Sequence, residues 1–302
     1  MSNAKTAIDA VTPLPPAREL PAGVGVRRLE ISAADGHASD AFYYSLLDAP
    51  AAGPVLVYLH GIQSHPGWFV GSCGHLAAAG LGVLAVTRRG SGADAHARGD
   101  ATAAATLLAD VAAAGRRARE LGEGGWHLLG VSWGGKLAAA YAGWAPADVR
   151  PASLAMVAPG LVPQVDAPFK TKLAVAASLL TRPTRPIDLP LEDAALFTDN
   201  PPMRAYWQQD PWRLRQVTAR FLYASRKLDR RLARARRGAI ACPALLVLAD
   251  RDRIIDNAAT AELAERLTGA AGESVTLAGA HTLEFEPDPA PLYDTLARWY
   301  QR

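Results

Sequence analysis

The sequence has little cysteine and no long apolar run. Two of its 302 residues are cysteines, Cys73 and Cys242, which are too few for a disulfide scaffold and too isolated for a zinc site. A reducing compartment, and so a cytoplasmic location, is expected. No segment approaches the roughly 18 consecutive apolar residues of a membrane-spanning helix. The first 23 residues lack the basic start and apolar stretch of a secretory signal, so neither membrane insertion nor export is expected.

The chain also lacks a strong charge of either sign. Its 32 basic and 29 acidic residues give a formal net charge of +3, and only five of the basic residues are lysines. This balance argues against a nucleic-acid partner. With 50% hydrophobic and 20% charged residues, the chain is long enough for one large globular domain, or for a core with a smaller subdomain.

The apolar pattern predicts an α/β fold. Two alternating segments, 26–31 and 41–47, flank the turn pair Asp35-Gly36 and predict an antiparallel hairpin. Beyond them, short apolar runs typical of strands buried on both faces alternate with helical segments. One of these helices is predicted from Ala101 to Leu121, with Asp100 as its N-cap. The pattern favours a mostly parallel sheet of about eight strands, covered by helices on both faces. The apolar runs are 54–59, 82–86, 126–131, 152–157, 244–248 and 274–277.

The alternation stops after Leu161, which divides the chain. We expect a lead-in at 1–24, an α/β core at 25–163 and 239–302, and an inserted helical cap at 164–238. A helical pattern begins at Asp210-Pro211 and reaches Gly238, and because that is long for one helix, a break is predicted near Ser225. The cap segment, residues 164–238, carries 15 basic and 7 acidic residues, a net charge of +8 that leaves −5 for the rest. A solvated helix face explains this charge, and contact with a surface or an anionic substrate is the alternative.

The sequence Gly130-Val131-Ser132-Trp133-Gly134 joins a predicted strand to a predicted helix. In such a tight turn only glycine fits at the flanking positions, and the central side chain is lifted clear of the sheet edge. The alternative is a structural turn that happens to carry serine. The G-x-S-x-G spacing in this context favours Ser132 as a nucleophile.

A nucleophilic serine needs a base and an orienting acid, both from loops at the carboxyl ends of strands. Among the seven histidines, His281 follows the last predicted strand. His127 lies within a strand, His75 within a helix, and His37 and His96 in loops far from the expected site. Three aspartates compete for the acid after the preceding strand: Asp250, Asp252 and Asp256. The order serine, aspartate, histidine is that of the α/β-hydrolases.

A developing oxyanion needs two backbone donors. One is the N–H of Trp133, next to the serine. The other is expected in His60-Gly61-Ile62-Gln63-Ser64-His65, where Gly61 would let the backbone turn the Ile62 N–H towards the same oxygen. His60 and His65 are expected to brace this loop by hydrogen bonds rather than to act as bases.

Together, His60-Gly61, Arg89-Gly90-Ser91-Gly92, the Ser132 turn, Asp252 and His281 resemble the α/β-hydrolases. The resemblance covers roughly residues 25–300 and is to the lysophospholipase and monoacylglycerol-lipase-like branch related to serine aminopeptidases. In that branch the acid precedes a basic or polar residue and two aliphatic residues, as Asp252 does, which makes Asp250 the second choice.

The resemblance implies a serine hydrolase that cleaves carboxylic esters of small or lipid-like molecules through an acyl-enzyme, with no cofactor or metal. Two other functions are considered. One is thioester cleavage or acyl transfer on an anionic acyl carrier, which the basic cap segment would attract. The other is a non-catalytic ligand receptor built on the same fold.

Overall fold

The structure is a computed structural model that describes residues 15, 19–48, 52–94 and 97–302. Most of the predicted lead-in at 1–24 lies outside these residues, as does His96. No helix in the described ranges is both long and apolar enough to cross a membrane.

Eight strands within the described residues form one mixed, mostly parallel sheet, with helices packed against it. The order is β1-β2-β4-β3-β5-β6-β9-β10, and every pair from β4 to β10 is parallel. The predicted fold class is therefore confirmed. A separate two-stranded sheet contains β7 and β8. The ten strands of the described residues are β1 (Val24–Ser32), β2 (Ala38–Leu46), β3 (Val55–Leu59), β4 (Gly82–Val86), β5 (Trp126–Val131), β6 (Leu154–Val157), β7 (Pro186–Asp188), β8 (Gln216–Thr218), β9 (Ala244–Ala249) and β10 (Gly272–Leu277).

The central strands are short and apolar because both of their faces are covered. Every residue of β3, β4, β6 and β9 is buried, which is why their sequences lack polar alternation. The α-helices are α1 (Val70–Ala78), α2 (Ala104–Leu121), α3 (Trp133–Trp144), α4 (Phe169–Thr181), α5 (Pro201–Gln209), α6 (Ala219–Ala233), α7 (Asn257–Thr268) and α8 (Ala290–Tyr300). Short 3-10 helices span Pro66–Phe69, Ala147–Val149, Ala194–Leu196, Gly269–Ala271 and Leu283–Phe285.

The hairpin predicted at the start of the chain is confirmed. Strands β1 and β2 pair antiparallel, with Val26 opposite Tyr44, and β2 continues antiparallel onto β4. Arg89, just after β4, fixes this hairpin to the core. Its guanidinium donates to Asp35 in the hairpin turn and to Asp110 on α2.

The predicted start of α2 is wrong. The helix begins at Ala104 rather than Ala101, and Asp100 does not cap it. The Asp100 carboxylate instead accepts hydrogen bonds from the Thr218 hydroxyl at 2.7 Å and from the Arg220 guanidinium. A carboxylate already bonded to two side chains of the cap segment is not free to cap α2.

The predicted course of the chain after Asp210 is also wrong. Asp210 ends α5 as its C-cap instead of opening a helix. The chain then forms β8, which pairs antiparallel with β7, before α6 begins with the Thr218 hydroxyl accepting from the Phe221 N–H. Helix α6 runs unbroken through Ser225. The break in the helical pattern therefore lies before α6 and not near Ser225. It lies at β8, because the pairing of β8 with β7 requires extended backbone.

Candidate active site

Ser132 lies at a strained turn between β5 and α3. Its φ of 54° is in the region that non-glycine residues rarely adopt. The two flanking positions must be glycine, because a side chain would clash with the backbone there. A Cβ at Gly130 would lie 2.3 Å from the Gly134 carbonyl oxygen, and one at Gly134 would lie 2.5 Å from the carbonyl oxygens of Leu59 and His60. The close packing of β5, α3 and the end of β3 thus fixes the serine in place.

His281, in the loop after β10, reaches Ser132 directly. Its Nε2 lies 2.8 Å from Ser132 Oγ, and its Nδ1 lies 2.7 Å from Asp252 Oδ2. Because a carboxylate only accepts hydrogen bonds, Nδ1 must carry the proton, which leaves Nε2 free to accept from the serine hydroxyl. The His281 ring is 2% exposed, so water competes little for these bonds.

Of the three aspartates after β9, Asp252 is the one against the imidazole. Its other oxygen, Oδ1, accepts from the Ile254 and Ile255 N–H groups at 2.8 and 3.1 Å. Asp250 instead accepts from the Gly279 N–H at 2.8 Å, with 46% of its side chain exposed. Asp256 caps α7 through the Ala259 N–H.

The loop after β3, residues 60–65, packs against the serine. A Cβ at Gly61 would lie 3.2 Å from Ser132 Cβ and 3.6 Å from Ser132 Oγ. In the part of the chain that the structure describes, neither the Ile62 N–H nor the Trp133 N–H donates a hydrogen bond to the protein. Trp133 directly follows Ser132 and Ile62 lines the same cavity as the serine, so both expected oxyanion donors are available to a ligand there.

His60 braces this loop, as expected from the sequence. Its Nδ1–H donates to the Gly61 carbonyl at 2.8 Å, and its Nε2 accepts from the Arg88 N–H at 3.0 Å. The Gly61 carbonyl and the Ile62 N–H belong to one planar peptide, so fixing one end orients the other. Burial lowers the pKa of His60 well below its ordinary value, and the Arg88 cation lowers it further, which keeps the ring neutral.

His65 braces the loop from the other end and ties it to the cap segment. Its Nδ1 accepts from the Gly67 N–H, and its Nε2–H donates to Asp210 Oδ2 at 3.1 Å. The Trp68 indole donates to the same oxygen at 2.7 Å. Burial alone would raise the pKa of Asp210, but the bonds from His65 and Trp68 outweigh it and hold the pKa below its ordinary value.

Arg88 is a site residue that sequence reasoning missed, because no motif marks it. Its buried guanidinium donates to the Ile62 carbonyl at 2.8 Å and lies 5.1 Å from the ring centroids of both Trp133 and Phe221. Burial lowers the pKa of Arg88 to about 9. Arg88 thus connects the loop after β3, the serine turn and helix α6.

A small cavity of about 20 Å³ lies beside Ser132. The cap segment contributes Leu191 and Phe197 to its wall, and the Phe197 ring meets the His281 ring edge to face at 6.1 Å. Sequence reasoning did not select these two residues, because nothing in an apolar residue of a long insertion indicates which way it faces. The other lining residues are Gly61, Ile62, Gln63, Ser64, Trp68, Phe69, Val131, His281 and Thr282.

The described residues contain no group of three or more histidine, cysteine, aspartate or glutamate side chains that could hold a metal ion. Both cysteines are free thiols, and burial raises the pKa of each. Neither cysteine lines the cavity beside Ser132.

A family model described as serine aminopeptidase, S33, matches residues 50–288. No curated protein matches the chain in sequence.

Several solved structures share the fold at low sequence identity. A soluble variant of monoglyceride lipase from Saccharomyces cerevisiae, in complex with a substrate analogue, matches with a TM-score of 0.77 and 15% identity, covering 95% of this chain and 97% of that one. A thermostable carboxyl esterase from Bacillus coagulans, in complex with glycerol, matches with a TM-score of 0.74 and 14% identity, covering 91% and 98%. Paleococcus ferrophilus monoacylglycerol lipase matches with a TM-score of 0.71 and 18% identity, covering 91% and 97%. At these identities the likeness shows the fold alone.

Proposed function

The chain belongs to the serine aminopeptidase S33 family and has the α/β-hydrolase fold, and from that premise we propose that it hydrolyses carboxylic esters through Ser132, His281 and Asp252. One observation carries the proposal: the hydrogen-bonded chain from Ser132 Oγ to His281 Nε2 and from His281 Nδ1 to Asp252 Oδ2, at 2.8 and 2.7 Å. A merely structural serine would not need a buried imidazole whose second nitrogen is bonded to a buried carboxylate.

In the proposed acylation step, Ser132 Oγ attacks the ester carbonyl carbon and its proton passes to His281 Nε2. Asp252 stabilises the imidazolium and keeps the ring in its orientation. The bond to the alcohol oxygen then breaks, and His281 gives its proton to the departing alcohol. Water then attacks the acyl carbon and loses a proton to His281. The bond from the acyl carbon to Ser132 Oγ breaks, His281 returns the proton to Ser132 Oγ, and the acid is released.

Negative charge develops on the carbonyl oxygen during the attack. We assign the stabilisation of this charge to hydrogen bonds from the Ile62 and Trp133 N–H groups. Within the described residues neither N–H has a protein partner, which supports this role, as does the bracing of the Ile62 peptide by His60. One such donor contributes roughly 3 kcal/mol to transition-state stabilisation. The Trp133 N–H also lies at the N-terminus of α3, where the helix dipole favours an anion.

The proposal is tested by ester hydrolysis in the wild type and in Ser132→Ala. The variant should lose turnover by about 10⁴-fold or more while its thermal unfolding stays close to that of the wild type. The panel should contain p-nitrophenyl esters of short and long acids, a monoacylglycerol and a lysophospholipid. Near-normal hydrolysis by Ser132→Ala would contradict the proposal.

The same enzyme preparation tests the two other functions. If the +8 charge of the cap segment serves an anionic acyl carrier, acyl-CoA should be cleaved faster than neutral esters at low salt, and added salt should remove that preference. A non-catalytic receptor would cleave none of these compounds and would not react with a fluorophosphonate at Ser132.

A further inference from the structure

Arg88 is a buried cation with no carboxylate paired to it. It is 7% exposed, and no ion pair of the described residues includes it, whereas its neighbour Arg89 pairs with Asp35 and Asp110. Burying an unpaired charge is costly, and an apolar side chain could fill the same space without that cost. The guanidinium at this position therefore requires an explanation beyond packing.

The guanidinium anchors the backbone on one side of Ile62. Its Nη2 donates to the Ile62 carbonyl at 2.8 Å, which holds the peptide between Ile62 and Gln63. The preceding peptide is held at the Gly61 carbonyl, which accepts from His60 Nδ1 at 2.8 Å. Because each peptide is planar, the two anchors together set the backbone conformation of Ile62 and the direction of its N–H.

The same guanidinium lies over two aromatic rings. Its central carbon is 5.1 Å from the ring centroid of Trp133 and 5.1 Å from that of Phe221. A planar guanidinium can donate hydrogen bonds in its plane and stack on rings with its faces, whereas the ammonium of lysine is a point charge. One side chain thus contacts both residues that carry the expected oxyanion donors, Ile62 and Trp133.

Helix α6 of the cap segment holds the Trp133 side chain in place. Phe221 packs against the Trp133 ring, with 5.1 Å between the centroids, and Ser225 Oγ accepts from the indole N–H at 3.0 Å. On the next turn of α6, Asp229 pairs with the buried Lys136 of α3 at 2.6 Å. The three α6 residues lie four apart and so share one face of the helix. The indole therefore has little freedom to leave the guanidinium.

We propose that Arg88 is a positioning residue that holds the Ile62 and Trp133 N–H groups in the directions that a carbonyl oxyanion requires. It acts through its bond to the Ile62 carbonyl and its contact with the Trp133 ring, and it does not line the cavity beside Ser132. This role rests on the proposed ester hydrolysis. Because the charge on the oxygen develops only towards the transition state, loss of Arg88 should lower kcat much more than it changes KM.

Arg88→Met tests this role, since it replaces the guanidinium by an apolar side chain. With p-nitrophenyl butyrate, kcat should fall roughly 10- to 100-fold, somewhat less than for the loss of a whole oxyanion donor, and KM should stay within about threefold. Thermal unfolding shows whether the variant is folded in the assay. A folded Arg88→Met with kcat within about threefold of the wild type would overturn the proposal.

Arg213→Met is the matched control. Arg213 is also buried, at 5% exposure, and its guanidinium carbon lies 3.5 Å from the ring centroid of Trp207. It contacts neither Ile62 nor Trp133 through any hydrogen bond or ring contact of the described residues. Its replacement should leave kcat within about threefold of the wild type. An equal loss of kcat in Arg213→Met and Arg88→Met would overturn the specific role of Arg88.

Inhibition by a trifluoromethyl ketone gives a readout that a merely structural role would not move. Ser132 Oγ adds to the carbonyl carbon of 1,1,1-trifluorohexan-2-one and passes its proton to His281, and the carbonyl electron pair moves to the oxygen, which becomes an anion. The matching alcohol, 1,1,1-trifluorohexan-2-ol, cannot form this adduct. Arg88→Met should weaken inhibition by the ketone by about the same factor as kcat and change inhibition by the alcohol less than about twofold. Equal weakening of both inhibitors would overturn the proposal.

Arg88→Lys keeps the role testable if the methionine variant does not fold. Lysine retains the cation and can donate to the Ile62 carbonyl, but it cannot stack flat on the two rings. Its inhibition by the ketone should be weakened about three- to tenfold, with inhibition by the alcohol unchanged. A folded Arg88→Lys with the wild-type ratio of ketone to alcohol inhibition would overturn the proposal. A wild type that neither hydrolyses esters nor forms the ketone adduct would contradict the proposed function itself.

Discussion

At the scale of single residues, the site depends on which atom carries each proton. Asp252 accepts from the His281 Nδ1–H and from two backbone N–H groups, which leaves it no alternative orientation. The ring is thereby held as the tautomer that can take a proton from Ser132. The role we propose for Asp252 is accordingly one of orientation and of stabilising the imidazolium that would form during ester hydrolysis.

Replacement of Asp252 by asparagine should lower kcat by roughly 10⁴-fold without preventing folding. The asparagine carbonyl can keep the bonds from Ile254 and Ile255, but its amide would donate to Nδ1 and force the proton onto Nε2. Steady-state ester kinetics measure the loss of kcat, and thermal unfolding shows whether the variant still folds.

Asp250→Asn is the matched control for this prediction. It is also a single-atom change after β9, and its side chain can still accept from the Gly279 N–H. It should therefore retain kcat within a few-fold of the wild type. The opposite ranking of the two variants would assign the acid to Asp250.

At the scale of elements, the serine turn depends on a close approach between α3 and the end of β3. Gly134→Ala should destabilise the protein by about 1–3 kcal/mol, since the added methyl would lie 2.5 Å from two backbone oxygens. Urea unfolding measures the loss.

Gly143→Ala provides the control on the same helix. A Cβ there would meet its nearest neighbour, a side-chain atom of Ile240, at 3.7 Å, which is an ordinary contact. Removal of a helical glycine should leave the free energy of unfolding unchanged or raise it by up to about 1 kcal/mol. Equal destabilisation by both substitutions would contradict the packing argument.

The elements of the core could be predicted from the sequence much better than those of the cap segment. Strands such as β3 and β4 are buried on both faces, so their apolar runs carry the signal directly. In the cap segment, the pairing of β8 with β7 determines where α6 begins, and this contact between distant residues leaves no local pattern.

Prediction of the active site from the sequence met the same limit. The order of Ser132, Asp252 and His281 after successive strands could be seen in the sequence. The choice between Asp250 and Asp252 could not be made from the residues alone, because both follow β9 and the turn geometry decides which carboxylate faces the imidazole. Arg88 was missed for another reason: its importance comes from the partners it has in three dimensions.

At the scale of the whole molecule, the buried neutral His60 makes the stability depend on pH. Its pKa is held well below the ordinary value of about 6.5 by burial and by Arg88, whereas the unfolded chain takes up the proton near pH 6.5. Below that pH the unfolded state binds one more proton than the folded state. The free energy of unfolding should therefore fall as the pH is lowered from 7 to 5, by up to about 1.4 kcal/mol per pH unit from this residue.

Urea unfolding at several pH values checks this prediction, with His60→Asn as the comparison. The variant should be less stable at pH 7 but should lose stability less steeply between pH 6.5 and 5, because asparagine does not titrate. Parallel pH dependences in the two proteins would show that His60 does not contribute the linkage.

The central claim is that Ser132 is a nucleophile activated by His281, and the most direct measurement of it is covalent labelling by a fluorophosphonate, read by intact mass and peptide mapping. One adduct per chain is predicted, on the peptide that contains Ser132, and none in Ser132→Ala. In His281→Ala, labelling should be slower by on the order of 10²-fold or more, because the general base is lost. An adduct on another residue, or hydrolysis of esters by a protein whose Ser132 stays unlabelled, would contradict the claim.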